Sequence, residues 1–563
     1  MGVLEKIGVV EATTHTPVYM MHKYWARRPW KVFRRLVEVF TRPGEIVLDP
    51  FAGGGVCLVE GLIKRRRVIA IDLNPLATFI MEHEAKLLDV PKFRRAVAVL
   101  RSRLGPFMAE LYKVRCPACG NDAVSLWAEY EEGRDTPIRI KVKCGCGFVG
   151  LKQPEEGDLP PPSAEPTWVP DAEIPPGDKT RDLLRRGIRR FSELFTKRNL
   201  IALSRLREEV MSWPDPEIRS FLMLAFSSTL KWASKMSHLR RSGKNYIVEG
   251  WAMHAYWIYP RWLEINVWEK FLHRARTVER GKTYTNRHVG DYARRARRLD
   301  ELLDGRATYM VIQGDASAVL EDFPDECVDA VITDPPYGGN VNYAELSDYF
   351  LVWLDGRLSP KDEEIIVNKT RGKDLRAYEE GLHRVFRECF RVLKSGRYCV
   401  STFNSKDMRV VGAFIVALRR AGFAYVGTSY QPYLRGYTTT FHAMQIDAMP
   451  FDFVFVFRKD GDENRTVEDP PRGFRDMAAF LREELEKCKE NMLTERDFRA
   501  RTYPSVIEFL ARASVSQARL LATHYEKLVA SEKAYFAEVR RRKMEQRRKA
   551  YLSRRKKLPD FFS

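Results

Sequence analysis

No stretch of this chain stays apolar for the ~20 residues that a membrane-spanning helix needs, and its first residues carry no apolar signal core. That excludes a helical membrane protein, and the expectation is a cytoplasmic one with no membrane partner. Acidic residues are outnumbered: 75 Asp and Glu face 95 Lys and Arg, a net charge of +20, with a pI near 9.5. Such an excess points to a polyanionic partner, gripped largely through phosphates and therefore salt-dependent. A glycine-rich loop is present, but it lacks the lysine and Ser/Thr of a phosphate-gripping loop, which excludes a P-loop NTPase. No nuclease signature stands out. Only nine cysteines occur, and five of them (Cys57, Cys327, Cys389, Cys399, Cys488) lie among apolar residues as packing thiols. With 563 residues and a 45% apolar share, the chain is globular and long enough for two to four units.

What is present is a set of strands that end in acids. Glu45–Leu48 reads as a short buried strand running into Asp49-Pro50-Phe51-Ala52-Gly53-Gly54-Gly55, with a helix over Val56–Ile63. Glycines at that junction let a ligand approach the backbone at the carboxyl end of a strand, where open α/β sheets bind cofactors. The next strand, Val68–Ile71, ends in Asp72-Leu73-Asn74, an acid about twenty positions after the glycines, suited to the hydroxyls of a ribose. A third, Tyr309–Ile312, ends in Gly314-Asp315-Ala316, suited to an adenine ring and its amine.

The fourth strand, Val328–Thr333, ends in Asp334-Pro335-Pro336-Tyr337. An exocyclic amine on a nucleobase is a poor nucleophile because its lone pair is delocalised into the ring. A carboxylate at hydrogen-bond distance, helped by the carbonyl of Pro335, can accept its protons and localise that pair. The prolines stiffen the turn and leave carbonyls without competing N–H donors. Tyr337 offers a flat face to a flipped base. No cysteine is placed to act as the nucleophile of a ring-carbon methylation.

The remaining four cysteines form two knuckles, Cys116-Pro-Ala-Cys119-Gly and Cys144-Gly-Cys146-Gly, with hairpin-like stretches such as Ile138–Val142 between them. Glycine after each pair and a β-rich spacer describe a zinc ribbon; a disulfide pair is the poorer alternative in a cytoplasmic chain. Four thiolates leave no open position, so the Zn²⁺ expected here is structural.

The chain divides into 1–85, the first half of an α/β core; 86–150, a helical arm and the ribbon; and 151–179, a proline-rich linker or strap. Residues 180–305 follow as a helical insertion, 306–462 as the second half of the core, and 463–563 as a helical basic extension. The insertion interleaves basic and aromatic residues (Lys231-Trp232, Lys235, Arg240-Arg241, Lys244-Asn245-Tyr246, Tyr256–Tyr259), which suits phosphate contact with base stacking. Within the second half, helices are expected over Tyr378–Arg391 and Val410–Ala421 and a strand over Tyr398–Phe403. A final antiparallel pair is expected at Phe423–Val426 and Phe453–Phe457. Three basic clusters between Arg540 and Lys557 hold about half the net charge and suit a sequence-independent grip on phosphates.

These motifs resemble the S-adenosylmethionine-dependent amino-methyltransferases that make N6-methyladenine or N4-methylcytosine in DNA. By that resemblance Asp49, Pro50, Phe51, Ala52, Gly53 and Gly55 form the cofactor loop, and Asp72, with Leu73 and Asn74, meets the ribose. Asp315 and Ala316 meet the adenine, and Asp334, Pro335, Pro336 and Tyr337 are catalytic. His22–Pro29, with Tyr24 and Trp25, lies beside the methionine end. More narrowly, Tyr24–Pro29 and Asn340–Phe350 are similar to adenine-specific DNA methylases that contain a zinc ribbon.

The resemblance implies a Rossmann-like seven-stranded α/β sheet, interrupted by the ribbon and the helical insertion. It implies S-adenosyl-L-methionine as cofactor and duplex DNA with a flipped base as partner. The order of motifs departs from the usual groups, because a long insertion separates Asp72 from Asp315. Asp rather than Ser at position 334 leans towards adenine. Cytosine N4 in DNA, an RNA amine and an inactive nucleic-acid-binding relative are the alternatives. Protein partners are not legible.

Overall fold

The computed structural model describes every residue except 1, 12, 243–244, 433–450, 461–472 and 557–563. Lys244 and Lys557 of the basic runs therefore lie outside the described residues. Fourteen strands are described. They are β1 (Ile46–Asp49), β2 (Arg67–Asp72), β3 (Lys113–Arg115), β4 (Asp122–Glu131), β5 (Arg139–Lys143), β6 (Val149–Lys152) and β7 (His238–Ser242). There follow β8 (Asn245–Glu249), β9 (Arg261–Ile265), β10 (Tyr309–Gln313), β11 (Val328–Thr333), β12 (Leu393–Phe403), β13 (Ala424–Pro432) and β14 (Phe451–Arg458).

Seven of them make one sheet in the order β10-β2-β1-β11-β12-β14-β13. The first five run parallel, and β14 enters antiparallel between β12 and β13. β1 and β11 are buried along their whole length, as central strands of a parallel sheet covered on both faces must be. The mostly parallel seven-stranded sheet and the terminal antiparallel pair are as expected. The helices over Leu375–Val392 and Met408–Arg420 fall where the periodicity puts them. Strand order reverses between β1 and β11, and at such a point the connections diverge to opposite faces and leave a crevice.

The ribbon strands β3 to β6 form a second sheet, which β9 of the insertion joins by pairing with β4. The rings of Tyr130 and Trp262 stack across that pair at 4.7 Å. Buried Arg198 locks this body together. It pairs with Glu264 on β9 at 3.0 Å and donates to the carbonyls of Leu111, Leu159 and Pro160. The proline-rich stretch is a strap. Its end presses Gly177 against Glu345, and Lys179 donates from its backbone to Glu345 and from its ammonium to the Gly339 and Asn340 carbonyls.

Four C-terminal helices, Phe474–Glu490, Glu495–Arg512, Val515–Ser531 and Lys533–Lys556, close the other side. The second and third of them dock on the Met408–Arg420 helix, where Gly412 lies against Ala522 and Glu526 accepts the Met408 N–H at 2.8 Å. Among the described residues no helix is long and apolar enough to cross a membrane.

Close packing between layers leaves little slack. A Cβ on Gly61, in the Val56–Ile63 helix, would stand 2.5 Å from the Val68 Cγ2 on β2. Val68 is β-branched, fully buried and unable to rotate away. Gly61→Ala should therefore cost about 1–3 kcal/mol by overpacking, despite alanine's better helix propensity. Thermal unfolding of this variant checks it, and an unchanged Tm would show that the helix can shift on the sheet.

Candidate active site

An open cleft lies over the carboxyl ends of β1, β2, β10 and β11. Each strand ends in an acid because the next residues must turn out of the sheet, and a carboxylate there can cap the exposed N–H groups that follow. Asp49 accepts from the Thr333 hydroxyl at 2.6 Å and the Phe51 N–H at 3.2 Å. Asp72 accepts from the Gly53 N–H at 2.7 Å and the Asn74 N–H at 2.8 Å. Asn74 and Asp315 are helix caps, accepting from the N–H groups of Leu76 and Ser317.

The glycine loop is shaped by backbone conformations that only glycine adopts freely, with φ of +51° at Gly53 and +74° at Gly55. Above Gly54 lies the Arg27 guanidinium, which donates to the Gly54 carbonyl at 2.7 Å and to Glu84 at 2.8 Å. A Cβ on Gly54 would sit 3.0 Å from that guanidinium carbon. Tyr24 packs on Gly53 and stacks with Tyr343 at 5.6 Å.

Tyr24, Trp25, Asp49, Pro50, Phe51, Ala52, Gly53, Asp72, Leu73, Asn74, Asp315 and Ala316 all line the cleft, together with Asp334 and Pro336. Gly55, Pro335 and Tyr337 do not. Gly55 starts the Val56–Ile63 helix with Met81 at its back.

Asp334 is the most heavily engaged of these acids. The Arg28 Nε–H donates to both its oxygens at 3.0 Å, and the hydroxyls of Tyr337 and Thr402 donate to Oδ1. Arg28 also reaches Asp452 at 3.1 Å and lies over the Tyr337 ring at 4.7 Å. Burial pushes the Asp334 carboxyl up to about 6, with Arg28 pulling the other way. Burial likewise raises Asp49 to about 8 and Asp72 to about 6.

Asp49 and Asp72 have no ion-pair partner among the described residues. Carboxylates buried, as Asp49 is, or half-buried, as Asp72 is, that face a cleft with only N–H and O–H donors around them fit a ligand bringing hydroxyls and a positive charge of its own. S-adenosylmethionine is such a molecule, with ribose hydroxyls, an ammonium and a sulfonium.

Several residues at the site escaped the sequence reading. Arg27 and Arg28 stood inside the Tyr24–Pro29 segment without roles of their own. Asp452 interrupts an aromatic strand, Phe451-Asp452-Phe453, and that anomaly was the available signal. Glu364 gave none. It lines the cleft at 8% exposure, its Oε1 accepts the Ala344 N–H, and its Oε2 has no partner. Burial raises it to about 7.

Away from the cleft, the sulfur atoms of Cys116, Cys119, Cys144 and Cys146 lie within 4.8 Å of one another. The Cys116–Cys146 and Cys119–Cys144 sulfurs are 3.8 and 3.7 Å apart. Four thiolates bound at ~2.3 Å around one tetrahedral metal would stand at close to these separations. Gly120 and Gly147 take φ of +72° and +96°, turning each knuckle. The tight Cys-x-Cys spacing thus still delivers both sulfurs to one point.

Comparison with known proteins bears on the same residues. Residues 8–80, which hold the Tyr24–Pro29 segment, the glycine loop and Asp72, match the N6/N4 methyltransferase model described as DNA methylase. The type II methyltransferase M.MvaI of Kocuria varians is 23% identical over 376 residues, 64% of this chain. The match spans 62% of that relative's length. Among solved structures, TTHA0409 of Thermus thermophilus, a DNA modification methylase by name, aligns at 21% identity over 31% of this chain and 60% of its own. The TM-score is 0.17, also for its complex with S-adenosyl-L-methionine, too low to bear any argument. The matched segment is the one that builds the cleft floor, and in it the chain is similar to the N6/N4 amino-methyltransferases.

Proposed function

We propose that this protein transfers the methyl group of S-adenosylmethionine to an exocyclic amino nitrogen in DNA, with adenine N6 favoured over cytosine N4. The observation that carries the reading is Asp334, a half-buried carboxylate at the end of β11 that opens into the same cleft as Asp49 and Asp72. Asp334 accepts a hydrogen bond from the target amine with help from the Pro335 carbonyl, and so localises the nitrogen lone pair. When bound, the cofactor would supply an electrophilic methyl on a sulfonium; the amine nitrogen would bond to that carbon in line as the carbon–sulfur bond breaks, and the surplus amine proton would pass by way of Asp334 to solvent. No covalent bond to the protein is needed, so catalysis is positioning and electrostatics. Asp72 holds the ribose, Asp315 and Ala316 the adenine, and Asp49 with the glycine loop, Tyr24 and Trp25 the methionine end.

Arg28 keeps Asp334 ionised and aimed while the site is empty. The target amine then takes Asp334 as Arg28 shifts towards Asp452, and the move uncovers the Tyr337 face for base stacking. The four-cysteine cluster holds one structural Zn²⁺ in a ribbon, and the Tyr24–Pro29 and Asn340–Phe350 segments resemble those of adenine-specific methylases with such a ribbon. Asp rather than Ser at position 334 supports adenine.

Transfer of labelled methyl to duplex DNA, single-stranded DNA and total RNA, followed by nucleoside identification, tests the reading. N6-methyladenine in DNA is expected, with Asp334→Ala lowering transfer at least a hundredfold while the cofactor still binds. Label confined to RNA would overturn the DNA assignment, and N4-methylcytosine would overturn the adenine one.

Asp334 must be ionised to accept the amine, so the rate should fall as pH drops through about 6. Arg28→Gln removes the charge that holds this carboxyl down, so the acid limb should move to higher pH, with Arg28→Lys in between. An acid limb that stays in place would assign it to another group. Metal analysis of the purified protein should find one zinc per chain. Cys119→Ser should lose the zinc and lower Tm while cofactor binding persists.

A further inference from the structure

Several buried and half-buried cations in this fold face a carboxylate, as Arg27 faces Glu84, Arg198 faces Glu264 and Arg499 faces Glu526. One convergent group of four does not. Lys23, Lys231, Lys270 and Arg274 converge from three segments: the stretch before Tyr24, the C-terminal end of the Pro216–Ala233 helix, and one turn of the Val267–His288 helix. All four are half-buried, and none makes an ion pair among the described residues.

Tryptophans hold them in place. The Lys270 and Lys231 ammonium groups lie 4.0 and 4.9 Å from the centre of the same Trp232 ring. Lys23 lies 5.2 Å from Trp25 and 5.4 Å from Trp251, and donates to the Trp251 carbonyl at 3.1 Å. Arg274 donates to Ser228 and to the carbonyls of Met20 and Met21, which fixes it without neutralising it. The acid that faces the group is Glu249, and it is engaged by Arg240 at 2.7 Å.

Crowded like charges in a partly dry site are costly. Burial first, and then the neighbouring Arg274, push Lys231 and Lys270 down to about 8. The same field reaches along the helix to His273, which is lowered by burial and by Lys270, Arg274, Arg276 and Arg280. A cluster held together against its own repulsion is the signature of a site whose counter-charge arrives with a ligand.

We propose that Lys23, Lys231, Lys270 and Arg274 form a phosphate clamp that grips a backbone phosphodiester of the DNA substrate. Lys23 immediately precedes Tyr24 and Trp25, and Trp25 serves both places, lining the cleft and bearing the Lys23 ammonium. A strand whose base is turned into the cleft therefore carries its flanking phosphates along this wall. Exposed Tyr246, Met253 and Trp257 follow Arg240 on the same insertion and extend the binding surface. Lysines act here as point charges and carry no base information, so the clamp sets register and affinity while sequence is read elsewhere. The proposal rests on the nucleic-acid reading above, and the test separates the two.

The experiment titrates a fluorescent 30-mer duplex against wild type and Lys231→Gln/Lys270→Gln across a salt series. The slope of log K against log salt should flatten by about 0.9 for each phosphate that the variant no longer neutralises. KM for DNA should rise with kcat unchanged at saturating DNA, and cofactor affinity should be unaltered. Tm of the free variant should stay level or rise, because the repulsion is relieved. Addition of inorganic phosphate should raise Tm in wild type and not in the variant. An unchanged slope in a wild type that methylates DNA would overturn the clamp alone, making these lysines a solvated face. A flattened slope with RNA but not with DNA would also overturn it. A wild type without affinity for any nucleic acid would overturn both readings.

Discussion

Carboxylates cannot be buried without cations unless something repays them, and this constraint organises the cleft. Asp49 is 2% exposed, and its rise from 3.8 to about 8 corresponds, at ~1.4 kcal/mol for each pH unit, to a penalty on the order of 6 kcal/mol against its ionised form. Asp72 bears a smaller version of the same penalty. A fold selected for stability alone would place asparagine there and keep the Thr333 and Phe51 hydrogen bonds. The sheet instead gathers these acids at the point where strand order reverses, which is where a ligand that brings donors and positive charge can offset that penalty.

Asp334 obeys a different arrangement at the same sheet edge. It already has a cation, but Arg28 is divided between Asp334 and Asp452. Breaking a buried ion pair usually costs several kcal/mol because one charge is stranded. Here the arginine retains a carboxylate whichever way it leans, so releasing Asp334 does not strand the guanidinium, and the Tyr337 and Thr402 hydroxyls stay on the freed carboxylate. Asn404 helps by donating to Asp452 at 2.6 Å. A carboxylate kept ionised in the resting site and freed at little cost suits a group that must accept a hydrogen bond from a weak, neutral amine.

Much of this was legible in the sequence because the relevant signals are local. Glycine at Gly53 and Gly55 is required by the positive φ of one turn, and Asp72 and Asp315 follow directly on the strands that place them. Pro335 and Pro336 likewise define their own turn. What was not legible depends on distance along the chain. Arg28 meets Asp334 across 306 positions and Asp452 across 424, and no periodicity encodes either meeting. Glu364 lies in an irregular segment between two helices, where a single acid looks like any solvated loop residue. The pairing of β9 with the ribbon strand β4 was also hidden, since five residues inside a helical, aromatic-rich stretch give too short a period to register as a strand.

The insertion is not an appendage, and the route by which it rejoins the core shows why. It departs after β2 and returns at β10, which would allow it to hang free at that edge of the sheet. Instead the strap brings Lys179 onto the Gly339 and Asn340 carbonyls, two and three residues beyond Tyr337. Tyr256 donates to the Glu345 carbonyl and Tyr349 to the Leu230 carbonyl, so the helix after the catalytic turn is bonded to the insertion on both sides. Trp251, Tyr256, Tyr349 and Phe350 then form one aromatic cluster behind Trp25. The insertion and the Asp334–Tyr337 turn are thus joined through packed rings and direct hydrogen bonds. Close-packed elements of this kind shift between discrete arrangements and do not deform smoothly. The long separation of Asp72 from Asp315 in the chain therefore puts the basic, aromatic-rich insertion in direct contact with the turn that carries Asp334.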